Sequence, residues 1–105
     1  PRMSIMRDET FGPVIGVQRV RDDAEAFACL DDTEFGLGAS VFSRDRERAE
    51  RILSRLDVGN AYWNRSDRSS VTLPWAGRRH SGLGVSMSES GVRAFVREKA
   101  WHLGP

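Results

Sequence analysis

Apolar and polar positions along this chain change their spacing several times, and each change marks an element. From Pro13 to Val20 the residues Val14, Ile15, Val17 and Val20 crowd together between Gly12-Pro13 and the polar stop Arg21-Asp22-Asp23, which predicts a strand. Asp22 with Glu25 three residues on has the form of a capping box, with Asp in the place of Ser or Thr. The helix it opens is expected to set Ala24, Phe27 and Ala28 on one face and to fade near Asp32. Leu37 to Phe42 is short and alternates in side-chain direction, so it reads as a second strand. Ala49, Ile52, Leu53 and Leu56 then fall at i, i+3, i+4 and i+7, one apolar stripe on a helix from Arg44 to Leu56. The remaining positions of that helix are nearly all charged, with Glu47 and Arg51 spaced as an i,i+4 pair, and read as a solvated face. Gly59 turns the chain into a third strand, Asn60 to Asn64.

After Asn64 the periodicity stops. Residues 65–81 open with Arg65-Ser66-Asp67-Arg68-Ser69-Ser70 and are punctuated by Pro74 and Gly77. A loop of that length inside a compact domain is uncommon and is often functional. Beyond it, Ser86 and Glu89 repeat the capping signature, Val92, Phe95 and Val96 mark a short helix, and Ala100 to Leu103 reads as a terminal strand. Strand, helix, strand, helix, strand is the rhythm of an α/β fold with helical crossovers between parallel strands. Ligands of such sheets gather at the loops along one strand edge. There is no internal repeat and no low-complexity tract.

Composition narrows the classes. A chain of 105 residues is one domain or less, and 39% hydrophobic with 30% charged residues is ordinary for a globular protein. No apolar run approaches the roughly 18 residues that suit a membrane span, so no membrane partner is expected. Pro1-Arg2-Met3-Ser4 carries no signal-peptide pattern. One cysteine excludes an internal disulfide and a Cys-rich metal site, and a reducing, cytoplasmic setting is the expectation. The net charge of +1 hides an asymmetry: residues 1–64 hold 9 basic and 12 acidic side chains, residues 65–105 hold 7 and 3. An excess of that size is far short of a nucleic-acid footprint.

Candidate chemistry begins with Glu9-Thr10-Phe11-Gly12-Pro13-Val14, a carboxylate and a ring presented just ahead of a Gly-Pro turn and an apolar run. Four further blocks follow in order. They are Phe35-Gly36-Leu37-Gly38-Ala39-Ser40-Val41-Phe42-Ser43, then Gly59 with Asn64, then Leu73-Pro74-Trp75-Ala76-Gly77, and last Ser81-Gly82-x-Gly84 with Gly91, Phe95 and Lys99. Together they resemble the closing part of an NAD(P)-dependent aldehyde dehydrogenase, over nearly the whole chain. The resemblance implies an α/β fold, part of the open sheet of that family's catalytic domain over residues 1–96, followed by an oligomerisation tail strand over residues 97–105. It implies NAD or NADP as cofactor, an aldehyde as substrate and a homo-oligomer as the assembly. Glu9 would accept hydrogen bonds from the ribose next to nicotinamide, a role that suits an acceptor-only carboxylate. Phe11 would pack beside the nicotinamide. Arg65, Arg68, Ser69 and Trp75 would line the aldehyde pocket, where arginine suits a carboxylate or phosphate on the substrate. Trp75 stands where the family usually has phenylalanine, Ala76 where glycine is common, and Arg78-Arg79-His80 where an aromatic and a lysine are usual. The family's cysteine nucleophile and general base belong to sequence preceding Glu9, so the chain reads as a fragment without catalytic residues of its own.

Other residues invite chemistry and fail on context. Cys29 sits inside Phe27-Ala28-Cys29-Leu30 on a helix, away from the setting that a nucleophilic thiolate needs. His80 and Ser81 are adjacent and cannot aim at each other as a triad requires, and no G-x-S-x-G turn surrounds Ser81. His102, after Trp101, reads as structural. Gly82-x-Gly84 lacks the third glycine and the flanking strand and helix of a dinucleotide fingerprint, and no carboxylate or histidine cluster has metal-ligand spacing. Two readings of different class remain: the C-terminal part of an aldehyde-oxidising enzyme, and a non-catalytic assembly module derived from that family.

Overall fold

The computed structural model describes residues 3–66 and 68–105, so Asp67 in the polar loop and Pro1-Arg2 lie outside the described residues. The chain forms two compact units, residues 1–33 and 34–105.

In the first unit a 3-10 turn, Ser4–Met6, leads into a loop, and helix α1 spans Asp23–Asp31. Asp22 caps α1 as its sequence requires: the side chain accepts from the Glu25 amide at 2.8 Å. The reciprocal arm differs from a plain capping box, because the Glu25 carboxylate takes the amide and guanidinium of Arg21 instead of the Asp22 amide. The apolar face differs in part from the expected one: Phe27 is half-buried, but Ala24 and Ala28 are exposed, whereas Ala26, Cys29 and Leu30, at i, i+3 and i+4, line a pocket with Met6, Gly16 and Val20. The strand expected at Pro13 to Val20 does not form: this stretch joins no ladder among the described residues, and Ile15 and Val17 face solvent. A strand needs a neighbour, and the described residues of this unit offer none.

The second unit is built on β1 (Gly38–Val41), α2 (Arg46–Leu53) and β2 (Asn60–Trp63). β1 and β2 run parallel, in register from Gly38 opposite Asn60 to Val41 opposite Trp63. The stripe on α2 faces this ladder, with Ala49 fully buried and Ile52, Leu53 and Leu56 half-buried. Asp45 caps α2 by accepting from the Arg48 amide, so the helix starts later than the periodicity alone implies. Its outer face carries Arg46–Glu50 at 2.6 Å and Arg51–Glu47 at 4.0 Å, exposed pairs of small energetic value.

A second ladder was not legible in the sequence: β3 (Trp75–Ala76) pairs antiparallel with β4 (Val85–Ser86). β4 also explains why Ser86 is not a cap. Its backbone is committed to the ladder and lies so close to Gly91 that a Cβ there would come within 2.8 Å. The chain then turns through Met87 and Ser88 at positive φ, and helix α3 (Ser88–Arg93) starts without a side-chain cap. Phe95 and Val96 fall beyond its end, and Ala100 to Leu103 forms no strand. Among the described residues that segment has no partner edge, as Pro13 to Val20 has none.

The two ladders are stapled together at the start of β2. Asn60 is buried, and its Nδ2 donates to the Leu37 carbonyl at 2.8 Å and to the Ala76 carbonyl at 2.9 Å. Gly59 before it approaches Ala76 so closely that any side chain would collide with that carbonyl.

Candidate functional site

The parallel ladder has one carboxyl edge, and the sequence closes it with its own side chains. Asn64, at φ 48°, accepts from the Ser43 amide and donates to the Ser43 carbonyl, both at 2.8 Å. Trp63 Nε1 donates to the same carbonyl at 3.0 Å, and Arg46 lies 5.7 Å from the Trp63 ring centre. Asparagine tolerates the left-handed backbone and still bonds the neighbouring chain, which fits the Gly59…Asn64 block. The two chain ends leaving β1 and β2 are thereby fixed against each other.

The polar loop departs from this edge, and it bounds two adjoining hollows. A cavity of about 540 Å³ is lined by Arg65, Arg68 and Ser69 together with Ala61, Tyr62 and Leu73. A smaller one, about 230 Å³, is lined by Arg68 and Trp75 with Asn60, Tyr62 and Pro74. All four residues expected at a substrate wall thus border hollows that share Arg68. Trp75 sits in β3 and not in the loop, where its half-buried ring walls the smaller hollow. Ala61 and Tyr62 were missed by sequence reasoning. The signal for them was available: they lie in the second parallel strand just ahead of its carboxyl end, where α/β sheets meet their ligands.

Around the loop's far end the arginines serve the fold. Arg79 Nε lies 3.2 Å from Asp57, Arg78 Nε lies 3.9 Å from it, and the His80 amide donates to the Glu34 carbonyl. Ser81 Oγ accepts from the Gly36 amide at 2.9 Å, a structural bond that occupies the hydroxyl. Among the described residues no group of three or more His, Cys, Asp or Glu could hold a metal ion.

In the first unit, Glu9 and Phe11 stand on the loop after the 3-10 turn. Arg7 anchors that loop with a two-pronged contact to Asp32, at 2.9 and 3.1 Å, beside the end of α1. The exposed Glu9 carboxylate bonds no described residue, and the Phe11 ring is 91% exposed and not part of a core. An acceptor-only carboxylate and a bare aromatic face are compatible with the donating hydroxyls of a ribose and with a flat heterocycle. Cys29, the remaining reactive side chain here, is half-buried in α1 and receives Gln18 Nε2 at 3.2 Å.

A parallel strand–helix–strand unit carrying a cavity-forming loop at its carboxyl edge defines the chain as part of an open α/β sheet. The chain belongs to the aldehyde dehydrogenase family, whose model matches residues 1–101. It is 41% identical over 99 residues to the succinate-semialdehyde dehydrogenase [NADP(+)] of Deinococcus radiodurans, covering 94% of this chain and 21% of that protein. It is 40% identical over 97 residues to the chloroplastic betaine aldehyde dehydrogenase of Atriplex hortensis, covering 92% and 19%. Among solved structures, betaine aldehyde dehydrogenase from Staphylococcus aureus in complex with NAD+ superposes with a TM-score of 0.85 at 31% identity, over 89% of this chain and 18% of that one. The chain therefore spans about a fifth of the length of the relatives it matches. Among the described residues no helix is long and apolar enough to cross a membrane.

Proposed function

We propose that this chain is the C-terminal portion of an enzyme that oxidises an aldehyde to a carboxylic acid with NAD or NADP through a cysteine thioester. The observation that carries the reading is the family match across residues 1–101, which contains every one of the motif blocks up to Lys99. The D. radiodurans relative is named for NADP(+) and the S. aureus structure holds NAD+, which supports a nicotinamide cofactor and leaves either form open. When bound, that cofactor supplies the hydride acceptor. Glu9 holds ribose hydroxyls and Phe11 offers a flat apolar surface beside the nicotinamide. Arg65, Arg68, Ser69 and Trp75 form part of the aldehyde wall. The thiolate that forms the thioester and the base that activates water for its hydrolysis come from sequence outside these residues. A single half-buried thiol, Cys29, suits the reducing cytoplasm. Residues 1–96 belong to the catalytic sheet on this reading, and residues 97–105 become a strand only against a partner subunit.

The purified 105-residue chain is expected to show no aldehyde-dependent NAD(P)H formation and only weak binding of NAD(H) by calorimetry. Turnover by the chain alone, or tight cofactor binding, would overturn the division of labour just described.

Surface composition supports the assembly part of the proposal. Leu83 is 100% exposed, Phe95 92% and Leu103 84%, with Trp101 and Val96 exposed beside them. Apolar exposure on this scale, next to a terminal segment that joins no ladder among the described residues, marks surface that another chain covers. The isolated chain should self-associate in sedimentation at micromolar concentration, and a clean monomer would refute the assembly assignment. The same exposed residues favour the second reading, a non-catalytic assembly module. The two readings separate on whether a nucleotide-binding domain and a cysteine nucleophile are encoded in frame ahead of Glu9.

A further inference from the structure

We propose that Arg7 and Asp32 form a positioning pair for Glu9. Asp32 holds the Arg7 guanidinium, which fixes the Glu9 loop against the end of α1 and keeps the neighbouring cation off the Glu9 carboxylate. The nicotinamide ribose as the target of Glu9 rests on the function proposed above; the anchoring of the loop does not. Arg7 reaches Asp32 with both terminal nitrogens, at 3.1 and 2.9 Å, across 25 residues of chain. By contrast Arg21–Glu25, in the same unit, spans four residues and ties α1 only to its own entrance. Asp32 is the C-cap of α1, and its amide donates to the Ala28 carbonyl at 3.1 Å. The last turn of α1 contains no basic residue. Arg7 thus brings the cation that a helix C-terminus favours, and its planar fork matches the two oxygens of the carboxylate.

The bonds nearer Glu9 are local. The Arg7 and Asp8 amides both donate to the Ser4 carbonyl, at 2.8 and 2.7 Å, and the Thr10 hydroxyl donates to the Asp8 carbonyl at 3.3 Å. They give residues 4–10 a shape, and the Arg7 fork gives that shape a place on α1. Glu9 lies two residues from the anchor, within about 7 Å of chain. A carboxylate carried on a fixed loop loses less freedom when it takes up a pair of hydroxyls, which is the gain that pre-organisation brings. The charge of Arg7 matters as much as the tether. A guanidinium two residues from Glu9 and without another partner would turn to the Glu9 carboxylate and fill the lone pairs that the hydroxyls need. With Asp32 present, Arg7 is engaged and Glu9 bonds no described residue. Asp32 therefore acts on Glu9 in two ways, by holding the loop and by occupying Arg7.

The test uses the full-length protein that contains this chain, read by steady-state kinetics and by millisecond amide hydrogen exchange without cofactor. Arg7→Gln should raise the KM for NAD(P) roughly 2- to 5-fold, the scale of an exposed ion pair, with the KM for the aldehyde unchanged. Asp32→Ala should raise it further, because it releases the loop and frees Arg7 to pair with Glu9. Adding Arg7→Gln to Asp32→Ala should then bring the KM back to the level of Arg7→Gln alone, a recovery that a merely structural pair does not give. On a Glu9→Gln background neither change should have any further effect. Arg21→Gln, which breaks an ion pair at the other end of α1, is the control and should leave both KM values at the parent level. Exchange over residues 4–12 should speed in Arg7→Gln and Asp32→Ala while α2 keeps its protection. Losses that multiply with that of Glu9→Gln, or a double variant worse than Asp32→Ala, would overturn the positioning role, and unchanged exchange over residues 4–12 would overturn the anchor. A full-length protein that never reduces NAD(P) would instead sink the dehydrogenase reading, and exchange over residues 4–12 then decides the anchor alone.

Discussion

Gly59→Ala should destabilise residues 34–105 by about 3 kcal/mol or more, at or above the upper end of what overpacking usually costs. The added methyl would land on the Ala76 carbonyl, and the neighbouring Gly77 amide nitrogen is within 3.3 Å of the same point. Both obstacles are backbone, so no rotamer change relieves them. Moving the Ala76 carbonyl away would break its 2.9 Å bond from Asn60 Nδ2 and disturb the pairing of Ala76 with Val85. Moving Gly59 instead would break the bond from its amide to the Gly36 carbonyl at 3.0 Å, a carbonyl that also takes the Arg78 amide. The first escape route removes a contact that joins the parallel ladder to the antiparallel one, and the second removes a bond at the start of the parallel ladder itself. Gly104→Ala, where nothing lies within 4 Å, is the matched control and should fall within about 0.5 kcal/mol of the parent. Urea denaturation followed by tryptophan fluorescence reads both. Indistinguishable midpoints for the two variants would mean that the close approach at Ala76 is absent in solution.

Gly59 also shows which parts of this fold could be read from the sequence. The helix stripe at Ala49, Ile52, Leu53 and Leu56, the two strands flanking it and the Asp22 cap are local patterns, complete within a few residues. They came out in place, shortened at the ends. What could not be read depends on partners distant along the chain. Ladder β3–β4 has two residues on each side, too few for any alternation to register, and it is held by Asn60 from 16 residues away. Pro13 to Val20 and Ala100 to Leu103 have strand composition but form no ladder, because composition cannot provide the neighbour that completes one. The loop after β2 stood out for a different reason: it interrupts an otherwise periodic chain with polar residues just after a strand. That Arg65, Arg68, Ser69 and Trp75 form a substrate wall was implied only by the family resemblance and stands as a proposal. Tyr62 breaks no pattern, and only its place near the carboxyl end of β2 could have marked it. Glu9 and Phe11 were legible only through the resemblance of their hexapeptide, since an acid and a ring on a loop have no pattern of their own.

In the full-length protein that contains this chain, Glu9→Gln should weaken cofactor use by roughly 10- to 100-fold while leaving the fold intact. The size follows from removing a charge-assisted bond to a ribose hydroxyl, about 1.5–3 kcal/mol, at 1.4 kcal/mol for each factor of ten. Glutamine keeps the length and shape of the side chain but trades one carboxylate oxygen for a donor, so one ribose hydroxyl loses its acceptor. The stability side of the prediction rests on what Glu9 does not do. It is exposed and bonds no described residue, and the Arg7–Asp32 contact that anchors its loop is left untouched. Unfolding free energy should therefore change by no more than about 0.5 kcal/mol. The two readouts together separate a binding role from a structural one. A structural role would shift the denaturation midpoint along with the kinetics, whereas a cofactor role shifts the KM for NAD(P) and the hydride-transfer rate alone. Arg7→Gln makes the complementary case, because it frees the loop and keeps the carboxylate. It should produce a milder loss of the same kind, through Glu9 being held less firmly. Unchanged cofactor dependence in Glu9→Gln, with single-turnover reduction of NAD(P) at the parent rate, would remove Glu9 from the cofactor site altogether.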